Sequence, residues 1–510
     1  MTASISPPLA APFEPSTMAD RRPEPRATTA VDHLGAALAV ARRGDGITFI
    51  ALPAPVVAAP VIVDAWRDVP LVSWTSPGAE PASLHTIVGV GVTRELRGTG
   101  ASRWTEVIER AQALQISGAI LAADVSSATR VVPCETLGLA RPRFLGGAAF
   151  APGAADRAPW LGFGDAWFAL PRWTYVHDGV CAWLVLAVDQ AEAGEAPRWQ
   201  AELAIHRAAF EARPIAPAQP AMIERGHASV EQWRGQIEAI TSAISREMCS
   251  KIVAARTCSV VLAGPVRAAE LLAALDERHP DCVRVLVRPP GGGTLVAASP
   301  ERLVQRADGV VLCDALAGTV RHDGSDDREA AAALLASAKD RREHDLVVRA
   351  IRAALESTGA VVEAPDEPIV RVLRHVLHLH TPFRASSRTP PHVLELAARL
   401  HPTPAVGGTP TDVAVEWIRS HEPVARGWYA SPVGWFDRDG NGELAVAIRS
   451  GVVVGNRAHL WAGAGIVAGS DPDRELAETE LKLRAMLGAL EPAVARVASV
   501  GTYAGRGADR

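Results

Sequence analysis

The sequence predicts an α+β fold with antiparallel sheets, and three patterns carry that prediction. Strand-like runs come in pairs around two-residue turns, Asp308-Gly309 in "RLVQRADGVVLCDALAG" and Gly455-Asn456 in "ELAVAIRSGVVVGNRAHLWAGAGIV", as hairpins do. Three long stretches, about 230–248, 327–357 and 472–490, space their apolar residues as helices. Hairpins feed these helices, without the strict strand–helix alternation of a parallel sheet.

Taken in order, residues 1–30 are rich in Pro, Ser and Ala, lack periodicity and lack a signal-peptide pattern, so a disordered leader is expected. Residues 31–225 hold strand-like "GITFIALP", "TIVGVGV" and "VCAWLVLAV" and a helical "RWTEVIERAQAL". They read as the N-terminal half of the domain, with many Trp and Pro residues but no chemical cluster. The prolines of "ARPIAPAQPAMIERGHAS" favour an extended linker. Residues 226–495 form the second half, opening on "SVEQWRGQIEAITSAISREM" with Ser229 as cap and Glu231 in the first turn. Residues 496–510 read as a flexible tail.

Composition narrows the function classes. A net charge of -5 without a long basic run argues against nucleic acid as a partner. No apolar run reaches the roughly eighteen residues that span a bilayer, so no membrane partner is expected. The six cysteines show no CxxC or other metal spacing; reduced thiols, a cytoplasmic location and a monomer are the expectations.

Charged residues on predicted core faces are the chemical signal. At about 100° per residue, Glu475, Glu478 and Lys482 share an azimuth with Ala485, Met486 and Ala489. Asp473, Ala477, Glu480, Arg484 and Glu491 fall on the opposite, solvated side. In the 327–357 helix, Val347, Ile351, Ala354 and Leu355 define the buried side, and Asp340, Glu343 and His344 fall with them. A buried carboxylate has to be paired, protonated or bound to metal. Two readings stand: Glu343 is satisfied by His344 or a buried Arg, or Glu343 and Glu478 together hold Mg²⁺, which takes one or two carboxylates plus substrate oxygens. In "GELAVAIRS" a period of two sets Glu443, Ala445, Ala447 and Arg449 on one face. Arg449 among small residues suits bidentate capture of a carboxylate, or pairing with a buried Glu. Gly463 to Gly465 allow close backbone approach, and their N–H groups suit an anion.

Three motifs read as decoys. "DRDGNG" (437–442) starts like a calcium loop, but Ile448 stands where the bidentate Glu belongs, so a polar hairpin turn is expected. "PPGGGT" lacks the GK[ST] ending of a phosphate loop. In "HVLHLHT", strand alternation separates His375 from His378 and His380, against a zinc site.

Nine segments in order over about 230–490 resemble the chorismate-utilising enzymes, and within them the isochorismate synthases: "SKIVAARTCSV", "ASPERLVQR", "DALAGTVR", "SAKDRREHDLVV", "VLHLHT", "LHPTPAVGGTP", "RGWYASPVGW", "AVAIRSG" and "GAGIVAGSDPDRELAETELKL". The resemblance implies one large α+β domain, two orthogonally packed antiparallel sheets with helices outside, and a central Mg²⁺ site. It implies Glu343 and Glu478 as metal ligands with Glu475 nearby acting through water, and chorismate as the small-molecule substrate. Arg449 and Tyr429 match residues holding its enolpyruvyl carboxylate; Lys482, Gly463 and Gly465 match further substrate contacts. Lys251 matches the general base and Glu301 the general acid, while His378, Gly318, Thr319 and Ala405 match positions lining the pocket.

The implied reaction adds water at C2 of chorismate while the C4 hydroxyl departs. Water needs a base and hydroxide needs an acid, each worth about 10²–10⁴-fold. Ammonia-using relatives usually lack a lysine where Lys251 stands, and aminodeoxychorismate synthases carry one where Ala317 stands. Salicylate synthases, the alternative, share Lys251 and Glu301 but tend to carry Thr in place of Ala405. A catalytically inactive chorismate-binding relative is the non-enzyme alternative. "HPTPA" and "PVGW" favour an isomerase that stops at isochorismate.

Overall fold

Strands from both halves of the chain interleave in each of two sheets. The structure, a computed structural model, describes residues 30–491 except 44, 78–84, 122–130, 322–326 and 374–375. The expected tail, nearly all of the expected leader, and His375 lie outside the described residues; Ala30 opens a helix, Ala30–Ala41.

Near one edge of the larger sheet Lys251–Leu262 pairs with Arg457–Ile466, followed by Ser450–Val454, Thr294–Ser299 and Val283–Arg288. The first-half strands Leu71–Thr75, Thr86–Val90, Trp173–His177, Ala182–Asp189 and Ile47–Ala54 continue it. The smaller sheet runs Val376–Ser386, Val310–Arg321, Arg302–Ala307, Gly442–Val446, Pro432–Phe436, then the first-half strands Phe144–Ala148, Ala166–Leu170 and Arg94–Gly98. Among the described residues pairing is antiparallel throughout, save Ile47–Ala54 with Ile116–Leu121, a parallel pair the expectation of antiparallel sheets did not contain.

Burial follows strand alternation. Phe49 and Ala51 join the cluster that links both sheets, with Trp74, Ile252, Leu145, Phe168, Val433 and Leu444. Ile50 and Leu52 face the other way, into a cluster with Ile62, Leu203, Leu271 and Leu487 from covering helices. A strand buried on both faces reads as a continuous apolar run, which is why "GITFIALP" shows little alternation.

The predicted hairpins form with fitting turns. Asp308 (φ 48°) and Gly309 (φ 83°) are both left-handed, as a type I′ turn requires, and Gly455 (φ 59°) supplies the single positive φ of a II′ turn. "DRDGNG" is a polar hairpin turn: Asp437 Oδ1 accepts from the N–H groups of Asp439 (3.0 Å) and Asn441 (2.9 Å). "PPGGGT" turns the hairpin between Val283–Arg288 and Thr294–Ser299.

Two elements differ from the sequence reading. The single helix expected at 327–357 is two, Asp327–Ala336 and Ala338–Glu356. Ser337 between them is extended and its Oγ accepts from Asp340 N, so a serine cap ends one helix and starts the next. The expected linker contains an edge strand, Met222–His227, paired to Lys251–Leu262. Its last proline is Pro220, after which every residue can donate to a ladder.

The unassigned tryptophans of the first half fasten it to the second. Trp160 packs against Phe163 and Trp461, with centroids 5.5 and 5.0 Å away, and its N–H donates to Ala425 O (3.1 Å). Trp428 returns a bond to Gly164 O (2.9 Å). Gly427 sits at φ 54° with its missing Cβ directed into the Trp160 indole, where only glycine fits. Gly427→Ala is therefore expected to destabilise the protein by about 1–3 kcal/mol, the usual cost of overpacking, read as a lower urea midpoint; an unchanged midpoint would show that this contact does not hold the halves together.

Candidate active site

The site lies where the two sheets approach each other, and its groups reach it from several elements. Lys251 is the first residue of its strand, paired to Thr409, and its side chain is wholly buried. Glu343 lies on the Ala338–Glu356 helix and Glu478 and Lys482 on Pro472–Leu490. The opening Pro and the Asp471 cap, whose side chain accepts from Asp473 N and Arg474 N, start that helix.

A cavity lined by Glu301, Gly318, Thr319, Glu343, His378, Ala405, Tyr429, Arg449, Gly463, Gly465, Glu478 and Lys482 brings these expected residues together. Lys251 reaches the site through Glu343: its Nζ donates to Oε1 at 2.8 Å. Glu475 does not line the cavity. It is 1% exposed, and Lys339 Nζ, on the other helix, donates to its Oε1 at 2.7 Å. His344, once a candidate partner for Glu343, instead meets Thr381 Oγ1 at 2.8 Å. Glu480, expected on the solvated face, is half-buried and paired with buried Arg256 and with Arg225.

Glycine makes the lysine–glutamate pair possible. A Cβ on Gly465 would collide with Glu343 Oε1 and with Lys251 Cε, and one on Gly463 would lie 3.0 Å from the Tyr429 hydroxyl. Beyond Trp461, the Arg457–Ile466 strand is no longer paired to Ser450–Val454, and Gly463 O accepts from Lys482 Nζ at 2.8 Å. Gly318 (φ 75°) forms a bulge opposite His378, where the register between Val310–Arg321 and Val376–Ser386 shifts. Bulges re-aim neighbouring side chains, here bringing Thr319 Oγ1 within 3.0 Å of His378 Nδ1.

Arg449 does not continue the strand of Glu443, as the period-two reading had it. The strand Gly442–Val446 belongs to the smaller sheet and Ser450–Val454 to the larger. Arg449 stands at the corner between them with φ 49°, while Glu443 pairs with Arg302 at 3.1 Å. An arginine always donates, so at 3.3 Å from Arg449 Nη2 His378 Nε2 is the acceptor and Nδ1 carries the hydrogen. Burial, aided by the Arg449 charge, holds the His378 pKa well below its ordinary value, so the ring is neutral.

Environment drives the carboxyl groups apart. Burial raises the Glu301 pKa to about 8, helped by Asp314 and opposed by Lys251 and Lys482; the group is a neutral acid at pH 7. Burial also pushes Glu343 up, but the charge and hydrogen bond of Lys251 outweigh it and leave the group below its ordinary value. Burial alone would lower Lys482, yet Glu478, 2.7 Å from its Nζ, raises it. Burial lifts the Tyr429 hydroxyl to about 12, so it stays a donor.

Sequence reasoning missed two features. Val253, Leu316, Val406, Ile448 and Trp461 line the cavity with apolar surface; only strand alternation around known neighbours could have pointed to them. Asp314 pairs with His380 (2.8 Å) and Arg302 (3.8 Å), and its sole sequence trace was a charge inside an apolar strand.

Glu343 and Glu478 suit a hard divalent cation. Both face one cavity with space beside them, and Mg²⁺ takes one or two carboxylates and fills its octahedron with water and substrate oxygens. Among the described residues no three His, Cys, Asp or Glu side chains converge closely enough to cage a metal unaided.

The chain is 36% identical over 438 residues, 84% of its length and 87% of the other, to a Pseudomonas aeruginosa protein named salicylate biosynthesis isochorismate synthase. It is 41% identical over 263 residues to the isochorismate synthase MenF of Bacillus subtilis, 51% of this chain and 55% of that protein. The solved structure of MenF, the menaquinone-specific isochorismate synthase from Escherichia coli, superposes with a TM-score of 0.73 at 25% identity, over 91% of this chain and 100% of that one. Anthranilate synthase component I from Streptococcus pneumoniae, 19% identical, shares the fold with a TM-score of 0.59 over 80% of this chain and 93% of its own. With the family described as "Chorismate binding enzyme" matching residues 74–491, the chain belongs to the chorismate-binding enzymes.

Proposed function

We propose that the chain is an isochorismate synthase, an isomerase that moves the ring hydroxyl of chorismate from C4 to C2. The observation that carries this reading is Glu301: a buried carboxyl, protonated at pH 7, in the same cavity as the partner of the buried Lys251. The names of the similar proteins support the same reaction.

Lys251 takes a proton from water as the oxygen bonds to C2. The ring double bonds shift, the C4–O bond breaks, and Glu301 gives its proton to the departing hydroxide, which leaves as water. One water enters and one leaves. To accept that proton, Lys251 has first to become the neutral amine, one proton of its ammonium passing to solvent, whereas the substrate-free pairing with Glu343 holds it charged. Arg449 at its corner and the Tyr429 hydroxyl hold the enolpyruvyl carboxylate, and neutral His378, which meets both Thr319 and Arg449, keeps the guanidinium oriented. Lys482 supplies a further positive charge. Glu343 and Glu478 would hold Mg²⁺, which would neutralise the ring carboxylate and fix its orientation. Ala405 on the cavity wall leaves open space where salicylate synthases tend to carry a hydroxyl.

Incubating the purified protein with chorismate and Mg²⁺ tests the proposal: isochorismate should accumulate without pyruvate. Salicylate with pyruvate would transfer the chain to the salicylate synthases, and no turnover would make it a binding protein. Lys251→Ala and Glu301→Gln should each lower kcat by about 10²–10⁴-fold, the usual worth of one acid or base, with circular dichroism unchanged; a near-normal rate in either removes that residue from the mechanism. Because the acid works only while protonated, kcat/KM should fall as pH rises through about 8, where Glu301 ionises. A flat profile through this range would mean that Glu301 is not the proton donor.

A further inference from the structure

Four charged groups of the site are already matched two by two. Lys251 Nζ lies 2.8 Å from Glu343 Oε1 and Lys482 Nζ 2.7 Å from Glu478 Oε1. Both glutamates face one cavity, and both are the carboxylates suited to a divalent cation. Each carboxylate keeps further lone pairs, but an ammonium at Oε1 already neutralises the charge that a cation would seek.

We infer that Lys251 and Lys482 compete with the metal for Glu343 and Glu478, so that metal binding and the loosening of the two amines are coupled. The inference rests on the proposed function only in taking these two glutamates as the metal's ligands. It assigns the lysines a role in the substrate-free protein that is separate from proton transfer and substrate contact.

The two competitors differ. Lys251 is wholly buried, and among the described residues Glu343 is its one side-chain hydrogen-bond partner. Displaced, it loses its one side-chain hydrogen bond among the described residues. Lys482 also donates to Gly463 O at 2.8 Å, so it keeps an acceptor when Glu478 turns away. Lys251 is therefore the stronger competitor. Lys339 provides a contrast: it brings the same charge close to both glutamates but hydrogen-bonds Glu475, which lies off the cavity.

The test is calorimetric titration of MgCl₂ into the substrate-free, full-length protein and its Lys251→Met, Lys482→Met and Lys339→Met variants. Removing an ammonium that holds a carboxylate should tighten Mg²⁺ binding by roughly tenfold or more at Lys251, since a hydrogen bond to a charged group is worth about that factor. The gain at Lys482 should be smaller, and that at Lys339 smaller still. Unchanged or weaker binding in Lys251→Met overturns the inference, and so does an equal gain in Lys339→Met, which would reduce the effect to overall charge.

Lys251→Met leaves a buried carboxylate alone, so its fold needs a separate readout. Mg²⁺ should raise its Tm by more than it raises that of the wild type, because at a given concentration a tighter ligand stabilises the folded state more. If that variant does not fold, Lys482→Met, whose partner is partly exposed, decides the matter: tighter binding supports the inference and unchanged or weaker binding overturns it. Failure of the proposed function is read elsewhere, as wild-type protein that forms no isochorismate. Normal turnover with unchanged metal affinities would sink the inference alone.

Discussion

Burying a lysine and a glutamate side by side is the constraint from which the rest of the site follows. Lys251 has no exposed surface, and an uncompensated charge at such depth costs several kcal/mol or more. Glu343 has to be there, on a helix that packs against the Val310–Arg321 strand of the smaller sheet. The strand beside them has to be glycine at 465, because any Cβ would occupy the position of the carboxylate. A backbone that small is a condition of the ion pair. Glu343 is consequently ionised whereas Glu301, in the same cavity, is not. Two groups of identical chemistry thus offer a charge and a proton, which is how a single site runs acid and base work at one pH.

Architecture explains how so many groups converge. Each sheet draws strands from both chain halves, and the chain passes from the smaller sheet to the larger at residues 447–449. A corner between sheets is where a side chain can leave the pleat, and left-handed Arg449 does so. The Gly318 bulge performs the same redirection beside it, at His378. The tryptophans act at longer range: Trp461 lines the cavity, stacks near Tyr429 at 6.2 Å and carries the Trp160 contact that ties in the first half. A half with no chemical group of its own thereby packs behind one wall of the site.

The sequence was most legible where local rules act alone. The helix expected at about 472–490 has those bounds, because proline, an aspartate cap and an apolar period are all local. Its inward Glu478 and Lys482 were visible as charges on the wrong face. Legibility failed where a distant partner decided the outcome. Glu475 shares the azimuth of Glu478, yet Lys339 from another helix draws it off the cavity. Glu480 was placed in solvent because nothing nearby in sequence announces Arg256. Period two assigned Arg449 to the strand of Glu443, since periodicity presumes that a strand continues and cannot register a change of sheet.

The same distinction separates what resemblance added from what the residues said alone. Read singly, Lys251 is a lysine opening a strand, and a strand-opening lysine is ordinarily a solvated one. Nine ordered motifs implied that it is catalytic; the structure supplies the physical reason it departs from ordinary lysines, a buried partner ninety-two positions away. Glu301 gains its character from the opposite circumstance. It has neighbouring charges of both signs, but no side chain among the described residues hydrogen-bonds its carboxyl, so burial prevails and the proton stays. An ammonium held by a carboxylate and a carboxyl left without a donor are two outcomes of one rule, that a buried ionisable group takes the protonation state its nearest partner permits. In this protein the helix, the glycine strand and the sheet corner determine which partner each group has.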